Sequence, residues 1–178
     1  MSSTAEQTGV PTGTWNADPV HSTVSFEVPY AANTFAATVP DIEATLADGK
    51  LTGVGRVASL QMKDENMQAH LQSPEFFDQE RHPEVRFESS KLERDGDSIK
   101  ADGELTIKGI TKPVTLEGTI SGPLVDHFGA NRVGLKLETV VDRTDFDMNW
   151  NMPLPSGGNV LANDVTLTVD VSLVAPQA

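Results

Sequence analysis

Apolar and polar residues alternate with a period of two through most of the chain, and this pattern limits what the chain can fold into. In residues 164–174, Val165, Leu167, Val169 and Val171 alternate with Thr, Asp and Ser. Successive strand side chains point to opposite faces, so the segment predicts an antiparallel strand with one solvated face. Similar patterns predict about eight strands, at 20–28, 34–46, 51–60, 84–93, 98–108, 112–121, 132–141 and 164–174.

Turn residues between these segments indicate hairpins. Asp48-Gly49 and Asp95-Gly96 are typical of tight connections. Pro40 divides the second strand and shifts the phase of its apolar residues, which predicts a bulge or bend there. The pattern predicts an all-β fold, either an antiparallel barrel of about eight strands or a sandwich, and strong bending favours the closed barrel.

One interruption of the strand pattern lies between residues 61 and 83. The stretch DENMQAHL consists of helix-compatible residues, and in SPEFFD the order Ser73, Pro74, Glu75 predicts a helix N-cap followed by a first turn. A short helical crossover is therefore expected. Of the adjacent rings of Phe76 and Phe77, we expect one to anchor in the core, while the other caps the barrel, meets a ligand or meets another chain.

Length and charge limit the domain count and the partners. We expect the 178 residues to form one domain, residues 14–178, preceded by a flexible tail at 1–13. The net charge of −13 repels phosphate backbones, so no nucleic-acid partner is expected. No apolar run is long enough to span a bilayer, so stable membrane insertion is not expected either. Cysteine is absent, which excludes disulfides and thiolate ligands.

Small residues at inward-facing strand positions leave two interpretations open. Gly103, Gly118, Ala37 and Ala101 share the phase of neighbouring buried residues. Since an eight-stranded barrel is wide enough to hold one small ligand, these residues either leave a cavity or only relieve bending.

The segment FDMNWNMPL, residues 146–154, presents large apolar residues at every even position and precedes PSGG. Met and Trp form an adaptable surface that suits a flexible apolar guest as well as a protein core. Two interpretations remain, an edge strand packed on the core and a lid over an interior pore. We call residues 146–154 the lid.

Motifs for catalysis, metal binding or nucleotide binding are largely missing from the sequence. The four histidines lack metal-ligand spacing, and no phosphate-binding loop, dinucleotide fingerprint or nucleophile elbow is present. Acidic pairs such as Asp142 with Asp145 are typical of a solvated face in so acidic a chain. We therefore predict no catalytic residue, no metal site and no enzyme.

Four stretches of the chain carry a family resemblance: DPVHSTVSFEV, AHLQSPEFFDQERHPEVRFES, GELTIKGITKPVTLEGTISG and VDRTDF. Together they resemble the YceI-like family over nearly all of residues 14–174. The matching positions are those of the opening motif, the Phe pair and the late D-R-x-D-F motif, namely Asp18, His21, Ser22, Phe76, Phe77, Asp142, Arg143, Asp145 and Phe146. The chain departs from the family at Asp147, where Gly is common, and at Pro29-Tyr30, where a basic or His residue often stands.

The resemblance implies an extended eight-stranded antiparallel β-barrel of lipocalin-like type that binds a long apolar chain in a central hydrophobic pore. The expected ligand is a polyisoprenoid, an isoprenoid quinone or a fatty amide, held as cargo or in store, and no cofactor is expected beyond such a resident lipid. Basic residues expected near a polar head group are Arg132 and Arg143. The residues expected to contact the ligand are Phe26, Phe35, Phe76, Phe77, Phe87, Leu105, Ile107, Leu135, Leu137, Phe146, Met148, Trp150 and Met152.

Two alternatives differ from a lipid carrier in testable ways. A small enzyme acting on a bound lipid would need an ionisable cluster inside the barrel, and a ligand-free protein-interaction barrel would expose an apolar patch. A homodimer is left open. The opening residues MSSTAEQTGVPTGT show neither a charged leader nor an apolar run, so we expect a cytoplasmic protein. If a signal peptide has been removed, that expectation becomes periplasmic or secreted.

Overall fold

Ten strands form one antiparallel sheet in the computed structural model, which describes residues 9–175. Within this range one α-helix and two short 3₁₀ turns, Val57–Ser59 and Arg143–Phe146, interrupt the strands. The elements are β1 (Thr14–Ala17), β2 (Thr23–Tyr30), β3 (Asn33–Val39), β4 (Ile42–Ala47), β5 (Lys50–Arg56), α1 (Glu65–Gln72), β6 (Glu84–Asp95), β7 (Ser98–Ile107), β8 (Ile110–Val125), β9 (Asn131–Asp142) and β10 (Asp164–Val174).

The sheet closes because β10 is paired along both edges. One edge pairs with β9, and the other pairs first with β2 and then with β1, where Val174 faces Asn16. On their far sides β1 pairs with β4 and β2 with β3. The pairs β1–β2 and β3–β4 thus act as two interrupted strands. Counted in this way the barrel has eight strands, which confirms the predicted eight-stranded antiparallel barrel.

The two interruptions differ in how well the sequence predicted them. The break between β3 and β4 falls at Pro40 and Asp41, as expected from the proline. The break between β1 and β2 was not predicted, and the strand expected at 20–28 begins only at Thr23. Val20, which shares the phase of Val24, lies in the turn and is exposed. Asp18 forms this turn by accepting a hydrogen bond from the amide of Val20.

Helix α1 lies in the predicted crossover and coincides with the helix-compatible stretch DENMQAHL, but the helix start predicted at Ser73 is not found. Asp64 is its N-cap, and the Asp64 carboxylate accepts from the amides of Asn66 and Met67. The prediction of Ser73 as an N-cap is wrong, because Ser73 ends this helix, and its hydroxyl donates to the carbonyl of His70 at 2.6 Å. The following SPEFFD residues form turns instead of a second helix.

Two buried clusters fill the barrel interior. One includes Trp15, Ile120, Val133 and Leu173 and lies at the end where β1 meets β10. The other gathers at the opposite end, under the crossover and the lid, and includes Phe26, Phe76, Phe146, Leu161 and Met148.

Part of the predicted tail packs on the barrel. Residues 1–8 of that tail lie outside the described residues. Within 9–13, Val10 packs against the cluster that contains Trp15, and the Trp15 indole donates to the carbonyl of Thr12 at 2.9 Å. The barrel therefore has a short packed segment before β1.

Candidate functional site

A cavity of about 150 Å³ lies inside the barrel and has an almost entirely apolar lining. Its walls come from strands on several sides of the barrel, from the crossover and from the first part of the lid. Residues from both buried clusters line it, from Val171 and Leu51 to Phe76 and Leu161, so the cavity is elongated along the barrel. A narrow, apolar, elongated cavity is suited to an apolar chain.

The predicted ligand-contacting residues fall into two groups. The cavity is lined by Phe26, Phe35, Phe76, Phe77, Phe87, Leu105, Ile107 and Met148. Of the others, Leu135, Leu137 and Phe146 are buried in the core, Trp150 is half-buried outside the lining, and Met152 is exposed. Contact of any of these residues with a ligand stays a prediction.

Glycines of β5 provide space in the cavity wall. Gly53 faces Ala44 and Phe87, and Gly55 faces Ile42 and Val85 across the neighbouring strands. A methyl group added at Gly53 would meet no atom closer than 3.8 Å. These two positions lack side chains where the neighbouring strands present apolar ones, so bare backbone forms this side of the cavity.

The glycines that the sequence analysis singled out have a different role. A methyl group at Gly103 would lie 2.3 Å from the carbonyl oxygen of Glu88, and one at Gly118 would lie 1.8 Å from that of Lys136. Neither residue lines the cavity, and the same holds for Ala37 and Ala101. Neither glycine leaves a cavity, and at both positions the neighbouring backbone approaches too closely for a side chain.

The two phenylalanines of the crossover both reach the cavity. Phe76 is 3% exposed and its ring contacts His70 and Trp150, with ring centroids 4.9 and 5.8 Å away. Phe77 is half-buried and packs on Phe26 with centroids 5.7 Å apart. Phe76 therefore has the more buried, anchoring position, while Phe77 lies closer to solvent.

The lid alternates only over part of its length. Phe146 belongs to the 3₁₀ turn, and Asp147 adopts a left-handed backbone with φ +59°, which breaks a continuous strand. Met148 then faces the cavity, while Trp150 packs edge-on against His70 with ring centroids 4.7 Å apart. The lid thus closes this end by contact with helix α1.

Arg143 is the charged group buried beside the cavity, and only 3% of it is exposed. Its Nη1 donates to the carbonyls of Met148 and Trp150 at 2.6 and 2.8 Å, and its Nε to that of Ala162 at 2.8 Å. Nη2 lies 3.4 Å from the carbonyl of Leu161. Burial lowers the pKa of this guanidinium, and Asp142 partly opposes the effect. Arg143 therefore joins the lid to the chain that returns towards β10.

Arg132, the other head-group candidate, lies at the far end of the barrel. It donates to the carboxylates of Asp18 and Asp126 and to the hydroxyl of Ser172. The site residues predicted for the head group are therefore not brought together.

An ionisable cluster inside the barrel is not found among the described residues. Their buried polar or charged side chains are Ser22, Asp78, Ser89 and Arg143, and of these only Arg143 lines the cavity. Within residues 9–175, no group of three or more His, Cys, Asp or Glu side chains is placed to hold a metal ion. Over the same range, no helix has the length and apolar character needed to cross a bilayer.

The molecule is thus a closed antiparallel β-barrel with an apolar interior cavity. The family described as the YceI-like domain matches residues 15–173, and the chain belongs to this family. Among curated relatives, a UPF0312 protein from Photorhabdus laumondii is 30% identical over 62% of this chain and 57% of its own length. Protein YceI from Escherichia coli is 35% identical over 47% of this chain and 44% of its own length. The chain thus spans about half the length of these curated relatives.

Solved structures show the same fold. A polyisoprenoid-binding domain from Saccharophagus degradans superposes with a TM-score of 0.72 at 10% identity, covering 93% of this chain and 100% of that domain. The YceI protein of Campylobacter jejuni gives a TM-score of 0.68 at 24% identity, covering 79% of this chain and 85% of its own. Both likenesses establish the barrel fold.

Proposed function

We propose that this protein binds a long-chain apolar lipid in its central cavity and acts as a carrier or store, without catalysis. The observation that carries this proposal is the elongated, nearly all-apolar cavity between the bare β5 backbone at Gly53 and the rings of Phe76 and Phe77. Membership of the YceI-like family and the fold shared with a polyisoprenoid-binding domain support a lipid-binding barrel.

The size of the cavity implies that binding a long-chain lipid rearranges the protein. A volume near 150 Å³ corresponds to a guest of about the size of benzene. A polyisoprenoid or fatty chain is much larger, so binding requires the lining side chains and the lid to separate. The lid is joined to the returning chain through the hydrogen bonds of Arg143, and we expect these bonds to change when the lid moves.

The polar environment favours a neutral head group. A guanidinium has five N–H donors, and the four carbonyl contacts of Arg143 leave one for a ligand. One donor can bind the oxygen of a prenol, a quinone or an amide, whereas a pyrophosphate needs several. An isoprenoid quinone, a neutral prenol or a fatty amide is therefore the proposed ligand class.

The test begins with mass spectrometry of an organic extract from the purified protein, which should contain a long-chain lipid. Delipidated protein is then titrated with a long prenol by calorimetry, with Trp150 fluorescence as a report on the lid. Gly53→Leu fills the cavity and should weaken binding at least tenfold. Thr119→Leu, which places the same side chain on the exposed outer face of β8, is the control and should bind normally.

An absence of extractable lipid together with no prenol binding would contradict the proposal and favour a ligand-free interaction barrel. Turnover of a bound lipid would instead favour the small-enzyme alternative. The cytoplasmic location and a homodimer stay predictions, to be checked by fractionation and by light scattering.

A further inference from the structure

Large apolar side chains project into solvent at the end of the barrel opposite the lid. Among residues 9–175, six large hydrophobic side chains are exposed, and four of them lie at this end. Strand β9 leads from this end, at Asn131, to the start of the lid region at Asp142. We call the four residues Val20, Leu124, Val125 and Phe128 the apolar tip.

Two turns and the end of β8 present the tip, and one side chain joins the two turns. The carboxylate of Asp18 accepts from the amide of Val20 at 3.0 Å, and that of Asp126 accepts from the amide of Phe128 at 2.8 Å. Arg132 donates to both carboxylates, at 3.0 and 2.5 Å. The same guanidinium therefore fixes both turns with their apolar residues outward, and Val20 and Phe128 are 83% and 78% exposed. This exposure is built into the fold.

The charges near the tip disfavour an anionic surface. Arg132 compensates part of the charge of the two carboxylates it contacts, and Arg94 donates to the carbonyl of Gly122 nearby, but the β6–β7 turn beside them also carries Asp95 and Asp97. That turn is adjacent because the carbonyl of Asp97 accepts from the amide of Ile120 in β8. With a net charge of −13 on the chain, an anionic membrane is repelled. A zwitterionic surface offers choline cations to the acidic turn and an apolar interior to the tip.

The size and shape of the tip favour a bilayer over a protein. A stable protein interface needs about 800 Å² from each partner, and a large aromatic side chain contributes at most about 250 Å². One Phe and three smaller aliphatic side chains, two of the four on turns and two at the end of β8, fall short of that area, whereas a few inserted apolar side chains suffice for weak membrane contact. We propose that the apolar tip inserts reversibly into the headgroup region of a zwitterionic bilayer. This contact is separate from lipid binding in the cavity.

The experiment is co-sedimentation of the full chain with phosphatidylcholine vesicles. The double variant Val125→Ser, Phe128→Ser should lower the partition coefficient at least tenfold. Val140→Ser is the matched control, because Val140 is 57% exposed but lies outside the tip, and it should bind like wild type. Replacing about a third of the lipid by phosphatidylglycerol should weaken binding at low salt, and added salt should restore it.

A fluorescence measurement complements sedimentation. Phe128→Trp should shift its emission to the blue with vesicles and be quenched by brominated lipid, whereas Val140→Trp should change neither signal. Equal melting temperatures of the variants establish that each is folded. The proposal is overturned if wild type stays in the supernatant, or if the double variant sediments as well as wild type. It is also overturned if the tip instead mediates a dimer that the double variant dissociates without any effect of vesicles.

Discussion

The Nη1 atom of Arg143 lies 2.8 Å from the carbonyl oxygen of Trp150, so a buried cation at the end of β9 holds the middle of the lid. The same guanidinium holds Ala162 on the chain that returns towards β10. The outgoing segment at Trp150 and the returning segment at Ala162 are thus both held by Arg143. The family motif D-R-x-D-F places this arginine directly after β9, and the structure gives it a positioning role.

Arg143→Met should therefore loosen the lid. The change leaves several buried carbonyls without donors, and since each costs about 1–3 kcal/mol, we expect a loss of about 3–5 kcal/mol in the free energy of unfolding. Hydrogen exchange should rise at residues 148–162 before it rises in the strands. Prenol association and dissociation should both become faster, which stopped-flow fluorescence measures. Arg56→Met, which removes an exposed arginine, is the control and should leave lid exchange unchanged.

Of the Phe pair, Phe76 should contribute more to the stability of the fold than Phe77. Phe76→Ala empties a buried site and should cost about 3–5 kcal/mol, whereas Phe77→Ala, at a half-buried site, should cost roughly half as much. Thermal unfolding of both variants measures this difference. Equal small losses would contradict the assignment of Phe76 as the anchor.

Alanine at two glycines should have opposite effects on stability. At Gly118 the new methyl would lie 1.8 Å from the carbonyl oxygen of Lys136, so the strands must separate, at a cost of about 3 kcal/mol. At Gly53 the nearest atom is 3.8 Å away, and reduced freedom of the unfolded chain should stabilise by up to about 1 kcal/mol. Urea unfolding of the two variants provides the comparison, and a destabilised Gly53→Ala would contradict an open cavity wall.

These glycines also show what could be predicted from the sequence. Strand alternation and the Pro40 break predicted the eight-stranded barrel, because side-chain periodicity is a local property. Phase also identified Gly103 and Gly118 as inward-facing, but whether a missing side chain leaves space or admits a neighbouring backbone depends on strand separation. That distance is a tertiary quantity, and the cavity is instead bordered by Gly53 and Gly55, whose spacing carried no signal of its own.

The helix and the lid show the same limit. Ser73 has the local chemistry of an N-cap, yet Asp64 is the N-cap of α1, and the Ser73 hydroxyl donates to the carbonyl of His70 at the end of that helix. Alternation in the lid correctly predicted that Met148 faces inward. It could not predict the left-handed Asp147 or the contact between Trp150 and His70, which lies outside the cavity lining.

Acid should weaken the barrel end that carries Arg132. Hydrogen bonds from His21 and then Arg132 lower the pKa of Asp18 from 3.8 to about 2, and a bond from Arg132 does the same for Asp126. A lowered pKa contributes stability above about pH 4, and that stability is lost as the pH falls towards 2. Asp126→Asn should be less stable than wild type at pH 7 and lose less between pH 4 and 2. Unfolding of both proteins across this range, with Glu104→Gln as an exposed control, measures the difference.

A neutral prenol should bind at least as tightly as its pyrophosphate. Each buried CH₂ contributes about 0.8 kcal/mol, so the tail supplies most of the affinity for either ligand. The pyrophosphate must also approach a chain of charge −13, while Arg143 is committed to lid carbonyls and Arg132 to two carboxylates at the far end. Calorimetry at low and high salt separates the contribution of the apolar tail from that of the charge repulsion. Salt should strengthen pyrophosphate binding by screening this repulsion and leave prenol binding almost unchanged. Tighter pyrophosphate binding that weakens with salt, and that Arg143→Gln abolishes, would show instead that the arginine leaves the lid to hold an anionic head group.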